Sequence, residues 1–414
     1  MILRARTVLP VSAPPIENGA ALVAGNRIRT VGTWADLKSA AGEEIYDLGE
    51  VVLLPGLVNA HCHLDYTGMA GALPPPKTFL DWIPLITAAK TGWSYSDYAH
   101  SWLRGAHQLA RHGTTTVADI EAMPDLLPEV WDATPLRVVS FLEMTGIRAR
   151  RQPKEILQEA LEKIDSLSHA RSSAALSPHA PYSTLPELLR SSARVSRQRR
   201  WPLCTHVAES EQEFEMFTRA GGMMYDWLKR NFRDMNDCGL GSPVEHLARN
   251  KMLGKNLIAI HANVLAPGDA ALLGKHRVNV VHCPRSHAYF HHPPFQRERL
   301  ANAGANLCLG TDSLATIRIM GKQRPELNMF GEMRALADAD RAVSPAEVLR
   351  MATVNGARAL GRRGQIGELR PNAFADLIAI PASGKHEEAC ETVLAHDGPV
   401  LLSMIDGRWV MPPR

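Results

Sequence analysis

Two histidines stand at alternate positions in His61-Cys62-His63, directly after the apolar run Leu57-Val58-Asn59-Ala60. In an extended strand residues i and i+2 project to one face, so both imidazoles can converge on a single ion at a strand's end. His-x-His alone is a weak signal, and two buried or surface histidines are its ordinary alternative. Three further side chains add weight. His206 closes Trp201-Pro202-Leu203-Cys204-Thr205, His261 closes Leu257-Ile258-Ala259-Ile260, and Asp312 closes Asn306-Leu307-Cys308-Leu309-Gly310-Thr311. A random scatter of the chain's 17 histidines would put one or two at such ends, not this set. Three imidazoles and a carboxylate suit a borderline-soft divalent ion, zinc first and iron(II) second. Cys62, Cys204, Cys283 and Cys308 lie on or beside the same strands. Their irregular spacing argues against a four-thiolate site, and they are expected as small core residues.

Hydrolysis at such an ion needs an acceptor for the water's proton and a donor for the leaving group. Glu209, three residues after His206 in His-Val-Ala-Glu-Ser, stands just past the strand end. It can face the ion without ligating it and serve both needs in turn. A lone loop glutamate is otherwise simply solvated; the adjacent ligand favours the catalytic reading.

These residues need elements that bring strand ends together. Eight apolar strand-like runs recur: Leu57 to Ala60, Thr114 to Ala118, Arg137 to Leu142, Ala174 to Leu176, Leu203 to His206, Leu257 to His261, Val278 to His282 and Asn306 to Leu309. Stretches with helical spacing separate most of them, such as Tyr98 to His112, Pro153 to Ser168 and Leu185 to Gln198. Alternating strand and helix implies parallel strands with crossover helices. An open doubly wound sheet is the alternative, but polar chemistry at the C-terminal ends of several strands favours a closed (β/α)₈ TIM barrel. The ends of the chain are different. Ile2 to Leu9, a hairpin around Gly25-Asn26, Val51 to Leu54, Ala375 to Ile380 and a hairpin around Asp406-Gly407 are short strands. Neither end has enough apolar surface to be an obvious independent domain, so the two are expected to pack together as one β unit. The expected organisation is α/β: residues 1–56 and 366–414 forming a small β-sandwich, and residues 57–365 forming the barrel.

Composition narrows the function classes. The chain has 414 residues, 46 basic and 43 acidic, for a net charge of +3. That balance gives no electrostatic case for binding nucleic acid. No stretch approaches the ~18 apolar residues of a membrane span. The first residues, MILRARTVLP, lack the apolar core of a secretory signal, and six cysteines are too few for a disulfide scaffold. A cytoplasmic protein acting on a small molecule is expected.

The set Pro55-Gly56-Leu57-Val58-Asn59-Ala60-His61-Cys62-His63, Gly113-Thr114-Thr115-Thr116, Thr205-His206-Val207-Ala208-Glu209, His261 and Gly310-Thr311-Asp312-Ser313 resembles the amidohydrolase superfamily, in particular its mononuclear deaminase and chlorohydrolase branch. Met351-Ala352-Thr353-Val354-Asn355-Gly356-Ala357 and Ala375-Asp376-Leu377 are similar to the family's closing segments, so the likeness spans nearly the whole chain. The resemblance implies a barrel plus a terminal β-sandwich. It implies metal ligation by His61, His63, His206 and Asp312, orientation of the water or a tetrahedral intermediate by His261, and proton transfer by Glu209, with Asp312 also catalytic. Two-metal members carry a bridging lysine near the fourth strand; here that segment reads Ala174-Ala175-Leu176-Ser177-Pro178-His179, so one ion per chain is expected. A homo-oligomer is in keeping with the family.

The substrate is less legible. His179-Ala180-Pro181-Tyr182-Ser183 resembles a substrate-touching segment of the family, with His179 as a base or sugar contact. His63-Leu64-Asp65-Tyr66-Thr67, Phe79-Leu80-Asp81-Trp82-Ile83 and Phe141-Leu142-Glu143-Met144-Thr145-Gly146 resemble segments of aminodeoxyfutalosine deaminases. That puts Glu143 near the pocket. Phe79 and Trp82 could stack on a heterocycle or simply cover core. Arg148, Arg150 and Arg151 could hold a substrate anion, with Arg148 the first candidate, or form a solvated basic turn. Arg285-Ser286-His287 could form pocket wall, and His291-His292 are expected as surface or loop histidines. The leading reaction is hydrolytic deamination of a 6-aminopurine nucleoside: 6-amino-6-deoxyfutalosine first, then adenosine or S-adenosylhomocysteine. Guanine-type deamination, triazine dechlorination and cyclic amide opening use the same chemistry. A degenerate barrel acting as a binding protein is the alternative of another class, and the complete ligand set with Glu209 intact argues against it.

Overall fold

The computed structural model describes residues 1–39, 42, 44–146, 151–318 and 325–413. Sixteen strands are found among them. Five come first: β1 (Ile2–Val8), β2 (Ile16–Ala24), β3 (Arg27–Thr33), β4 (Ile45–Asp47) and β5 (Val51–Pro55). Eight follow: β6 (Leu57–Cys62), β7 (Thr114–Glu121), β8 (Arg137–Met144), β9 (Ser173–Pro178), β10 (Leu203–Val207), β11 (Leu257–His261), β12 (Asn279–His282) and β13 (Asn306–Leu309). Three close the chain: β14 (Leu377–Pro381), β15 (Leu402–Ile405) and β16 (Arg408–Met411).

Strands β6 to β13 pair in sequence order, all parallel, and each matches one of the eight apolar runs. Sheets buried on both faces read as continuous apolar runs, which is why they are legible. The circle closes where Cys62 bridges Asp312 and the His61 carbonyl accepts the amides of Thr311 at 3.0 Å and Asp312 at 3.2 Å. Closure of the barrel therefore joins two of the expected ligands. Inward side chains such as Ala118, Ile120, Val139, Phe141, Ala175, Cys204, Ile258, Ile260 and Cys308 form one cluster. Outward ones pack under helices, as Leu203 and Leu257 do beside Leu188 and Leu189. Cys62, Cys204, Cys283 and Cys308 are buried free thiols, as the spacing suggested.

The terminal segments build a separate mixed sheet in the order β16-β15-β14-β5-β1-β2-β3, with β4 added to β1. Its N- and C-terminal halves meet where β5 runs antiparallel to β14. Both expected hairpins are present, with Gly25, Asp406 and Gly407 at positive φ. Arg137, at the start of β8, is tied to the C-terminal segment: its guanidinium forks onto Asp376 at 2.9 and 3.2 Å, reaches Asp406 at 3.1 Å and lies 3.8 Å from the Phe374 ring centre. No helix among the described residues is long and apolar enough to cross a membrane.

Candidate active site

The site lies at the C-terminal ends of the barrel strands, and local backbone devices aim its residues. Val58 and Ala60 belong to the inward cluster, so strict alternation would turn His61 away. The register between β6 and β7 shifts between Asn59 and Cys62, and this bulge resets the alternation. After His63, the Asp119 carboxylate accepts the Leu64 amide at 3.0 Å and the Trp102 indole at 2.9 Å, holding the turn that follows. On β11, Ile258 and Ile260 point inward, and His261 follows them out of phase. His261 has φ of 74° and Ala262 φ of 49°; Ala208 at 50° and Asp312 at 53° share this region, which non-glycine residues enter only when their surroundings hold them there. Left-handed backbone thus turns the strand ends toward a common centre.

At that centre His61, His63 and His206 offer nitrogens within 4.8 Å of one another, and so do the ligand atoms of His61, His261 and Asp312. Asp312 Oδ1 lies 3.6 Å from His61 Nε2 and 3.8 Å from His63 Nε2. Both ring nitrogens of His61 are buried without a hydrogen-bond partner, although the side chain is 0% exposed. Unpaired buried polar atoms are costly, and an ion accepting the imidazole lone pair removes that cost at the ligating nitrogen. His206 Nδ1 lies 3.0 Å from the His179 carbonyl, which fixes Nδ1 as the donor and leaves the Nε2 lone pair free to ligate. Ser286 donates to Asp312 Oδ2 at 2.6 Å, leaving Oδ1 toward the histidines. Burial holds His61, His63 and His261 well below the ordinary imidazole pKa and His206 at about 4, so these rings are neutral and able to ligate. Burial works to raise the Asp312 carboxyl, but His261, His63 and the Ser286 hydroxyl outweigh it and keep it below its ordinary value. The donor set fits a borderline-soft divalent cation.

Glu209 is buried, with Oε1 3.4 Å from His261 Nε2. Burial, with the charges of Asp312 and Glu213, raises its carboxyl well above the usual range, which favours the protonated acid.

A cavity of about 630 Å³ opens from this cluster, lined by His63, His206, Glu209, His261 and Asp312 at one end. Phe79, Trp82, Glu143 and His179 all line it, so these four expected contacts are brought together with the histidine–aspartate cluster. Phe79 and Trp82 stack at 6.1 Å on the helix Phe79–Thr91, whose start is fixed by a capping box of Thr78 and Asp81. Phe290 packs edge-on against both rings. His179 has Nδ1 2.5 Å from Ser183 Oγ and Nε2 3.7 Å from Glu143 Oε1. Glu143 makes no hydrogen bond among the described residues, so its carboxylate is open to the cavity.

Of the remaining expectations, the pocket-wall role of Arg285-Ser286-His287 is not found, whereas the loop placement of His291 and His292 is. Arg285, Ser286 and His287 do not line the cavity: Arg285 is tied to Glu332, Ser286 to Asp312, and His287 to Asn263 at 3.1 Å, so the segment buttresses the site from behind. His291 and His292 point apart, His291 to Arg318 on the surface and His292 toward His287. Arg148 and Arg150 lie outside the described residues; Arg151 is exposed and paired with Glu159. Sequence reasoning missed Tyr66, Lys90, Tyr182 and Trp227 as cavity residues. Tyr66 stacks on His63 at 5.2 Å and accepts from Lys90; it and Tyr182 sit inside recognised motifs. Trp227 comes from the helix Met223–Arg230, inserted between β10 and β11, where nothing in the pattern marked a site.

Comparison with known proteins adds three findings. The sequence pattern of the Amidohydrolase family matches residues 52–410. A 5-methylthioadenosine/S-adenosylhomocysteine deaminase of Syntrophobacter fumaroxidans is 30% identical over 396 residues, covering 89% of this chain and 82% of that protein. Two crystal structures share the fold. An adenosine deaminase from Xanthomonas campestris with bound zinc superposes with a TM-score of 0.84 at 24% identity, covering 99% of this chain and 92% of the other. An aminofutalosine deaminase of Helicobacter pylori, in complex with methylthio-coformycin, superposes with a TM-score of 0.87 at 20% identity, covering 99% and 100%.

Proposed function

The chain belongs to the amidohydrolase family, and on that premise we propose that it is a metal-dependent hydrolytic deaminase of 6-aminopurine nucleosides, acting first on adenosines with an altered 5′ group. The observation that carries this reading is the pairing of a neutral imidazole–carboxylate cluster with the buried acid Glu209 at one end of an aromatic cavity. His61, His63, His206 and Asp312 would hold one divalent ion, zinc first and iron(II) second. A cation in that set acidifies a water toward neutrality and so supplies a nucleophile at physiological pH.

The chain's own residues do the rest. Glu209, favoured as the protonated acid, donates to a ring nitrogen and leaves the neighbouring C6 more electrophilic. The resulting Glu209 carboxylate takes up the proton that the attacking water gives up and passes it to the departing amine, which leaves as ammonia. His261, 3.4 Å from Glu209, orients the attacking oxygen together with Asp312. Phe79, Trp82, Phe290 and Tyr182 offer aromatic faces for the purine or an apolar 5′ substituent. His179 and Glu143 supply polar contacts suited to a sugar. The relative named for 5-methylthioadenosine and S-adenosylhomocysteine supports 5′-thio adenosines. The neighbour named for aminofutalosine keeps 6-amino-6-deoxyfutalosine on the panel. A cavity of about 630 Å³ exceeds what a free guanine or triazine would fill, which favours a nucleoside.

The test is ammonia release by zinc-loaded protein from 5′-methylthioadenosine, 5′-deoxyadenosine, S-adenosylhomocysteine, adenosine, 6-amino-6-deoxyfutalosine, guanine and an aminotriazine, with elemental analysis of the same sample. Turnover of a nucleoside at about one metal per chain supports the reading. Ammonia only from guanine or the triazine, or from none, rejects it.

A further inference from the structure

Glu213 has a carboxyl fully out of solvent, at 0% exposure, and no task in the reaction above. It is the third residue of the helix Glu211–Arg219, whose N-cap Ser210 accepts the Glu213 amide at 3.2 Å. In an ordinary capping box such a glutamate returns to the N-cap's own amide. Here the carboxylate reaches further back: Oε2 accepts the Glu209 amide at 2.9 Å.

The carbonyl side of this turn is held from the neighbouring strand end. The Ala208 carbonyl accepts the amides of Asn263 and Val264, both at 2.9 Å, and Asn263 Nδ2 donates to the Glu209 carbonyl at 3.1 Å. Between the two sets of bonds Ala208 keeps φ of 50°, a conformation an alanine adopts only under such constraint. From this turn the Glu209 side chain departs toward His261.

We propose that Glu213 is a positioning residue for Glu209: its carboxylate, the acceptor of the Glu209 amide, fixes the turn that aims the Glu209 side chain at the substrate ring. A purely structural role would not call for a carboxyl. Among the described residues no cation pairs with it, Oε1 has no hydrogen-bond partner, and burial pushes its pKa up to about 7. A neutral group of the same size would avoid that desolvation, yet its oxygen would hold the Glu209 amide less strongly than an ionised carboxylate does.

The inference rests on the deaminase reading, and a double-mutant cycle in the full zinc-loaded chain separates the two, with 5′-methylthioadenosine and adenosine as probes. Glu213→Gln is expected to keep metal content, to hold its melting temperature within a few degrees, to keep KM within about threefold, and to lose roughly 10- to 100-fold in kcat, the scale of a misplaced catalytic group. In a Glu209→Gln background the same change is expected to cost less than about twofold, because a residue acting through another adds nothing once that partner is disabled. Undiminished kcat in Glu213→Gln, an equal fold-loss in both backgrounds, or a kcat loss that comes with lost metal and a lowered melting temperature overturns the proposal. Wild-type inactivity toward every nucleoside of the panel above overturns the deaminase reading and this inference with it, whereas full activity of Glu209→Gln overturns this inference alone by removing Glu209 from proton transfer.

Discussion

Gly310 gives the sharpest test of how the barrel builds its metal cluster. A Cβ at this position would lie 2.8 Å from both the Cβ and the carbonyl oxygen of His61, and 2.9 Å from its amide nitrogen. Heavy atoms settle at roughly 3.5 Å or more, so Gly310→Ala must drive the first and last barrel strands apart by about 0.7 Å. The neighbours are backbone, which cannot swing aside. The bonds that close the barrel here, from the amides of Thr311 and Asp312 to the His61 carbonyl at 3.0 and 3.2 Å, would then stretch beyond useful length. Overpacking costs about 1–3 kcal/mol and each of the two lost bonds about 1 kcal/mol, so a loss of about 3–5 kcal/mol in unfolding free energy is expected. Metal sites tolerate about 0.2 Å in their ligand distances, so a shift of this size between His61 and Asp312 should weaken zinc binding at least tenfold. The assay equilibrates both proteins with zinc against a graded chelator, reads bound zinc by elemental analysis and follows urea unfolding. Gly268→Ala, where no heavy atom lies within 4 Å, is the control and should match wild type. Equal zinc retention by a folded Gly310→Ala at every chelator concentration would refute the claim that this close approach sets the cluster.

Glu209→Gln should retain zinc and lose about 10²- to 10⁴-fold in kcat, read from ammonia release; near-normal turnover removes Glu209 from proton transfer. Ser286→Ala should free Asp312 Oδ2, lower zinc affinity roughly 10- to 100-fold and leave the fold intact, as chelator competition would reveal. Arg137→Met leaves Asp376 buried without its cation and should cost about 3–5 kcal/mol in denaturant unfolding, with turnover per folded molecule unchanged. The folded-state pKa of Glu213, about 7, lies above its ordinary value, so the folded protein holds this proton more tightly than the unfolded chain. Its contribution is therefore greatest below about pH 4.5 and declines by roughly 3 kcal/mol as pH rises through 7. Urea unfolding at pH 5 and pH 8 should show Glu213→Gln gaining on wild type at the higher pH; parallel curves would contradict the buried, raised carboxyl.

Much of the site was legible because its signals are local. Eight strands buried on both faces leave uninterrupted apolar runs, and a histidine or aspartate where such a run stops stands out in type and place. His61, His63, His206, His261 and Asp312 were found this way, and Glu209 followed from its distance to His206. Asp406-Gly407 marked a hairpin through the positive φ its residues adopt. Trp227 and Lys90 were not legible. Each sits on a helix whose pattern reports only that one face is buried, and nothing local says that the neighbour on that face is a cavity.

The chain's sequence alone determined the barrel, the companionship of its two ends and the inventory of metal-capable side chains, because each is written in composition and short-range spacing. Only the tertiary structure decided their aim. Alternation would have turned His61 and His261 away from the centre; a bulge and a left-handed backbone turned them in. Asp312 meets His61 across some 250 residues of sequence because glycine at 310 lets two strands touch. Glu213, four residues beyond Glu209, carries no mark in the sequence, and only folding buries it against that turn. Spacing along a chain limits which groups can share a strand face, whereas the distance between groups on different strands is set by packing, and chemistry at an ion depends on that distance.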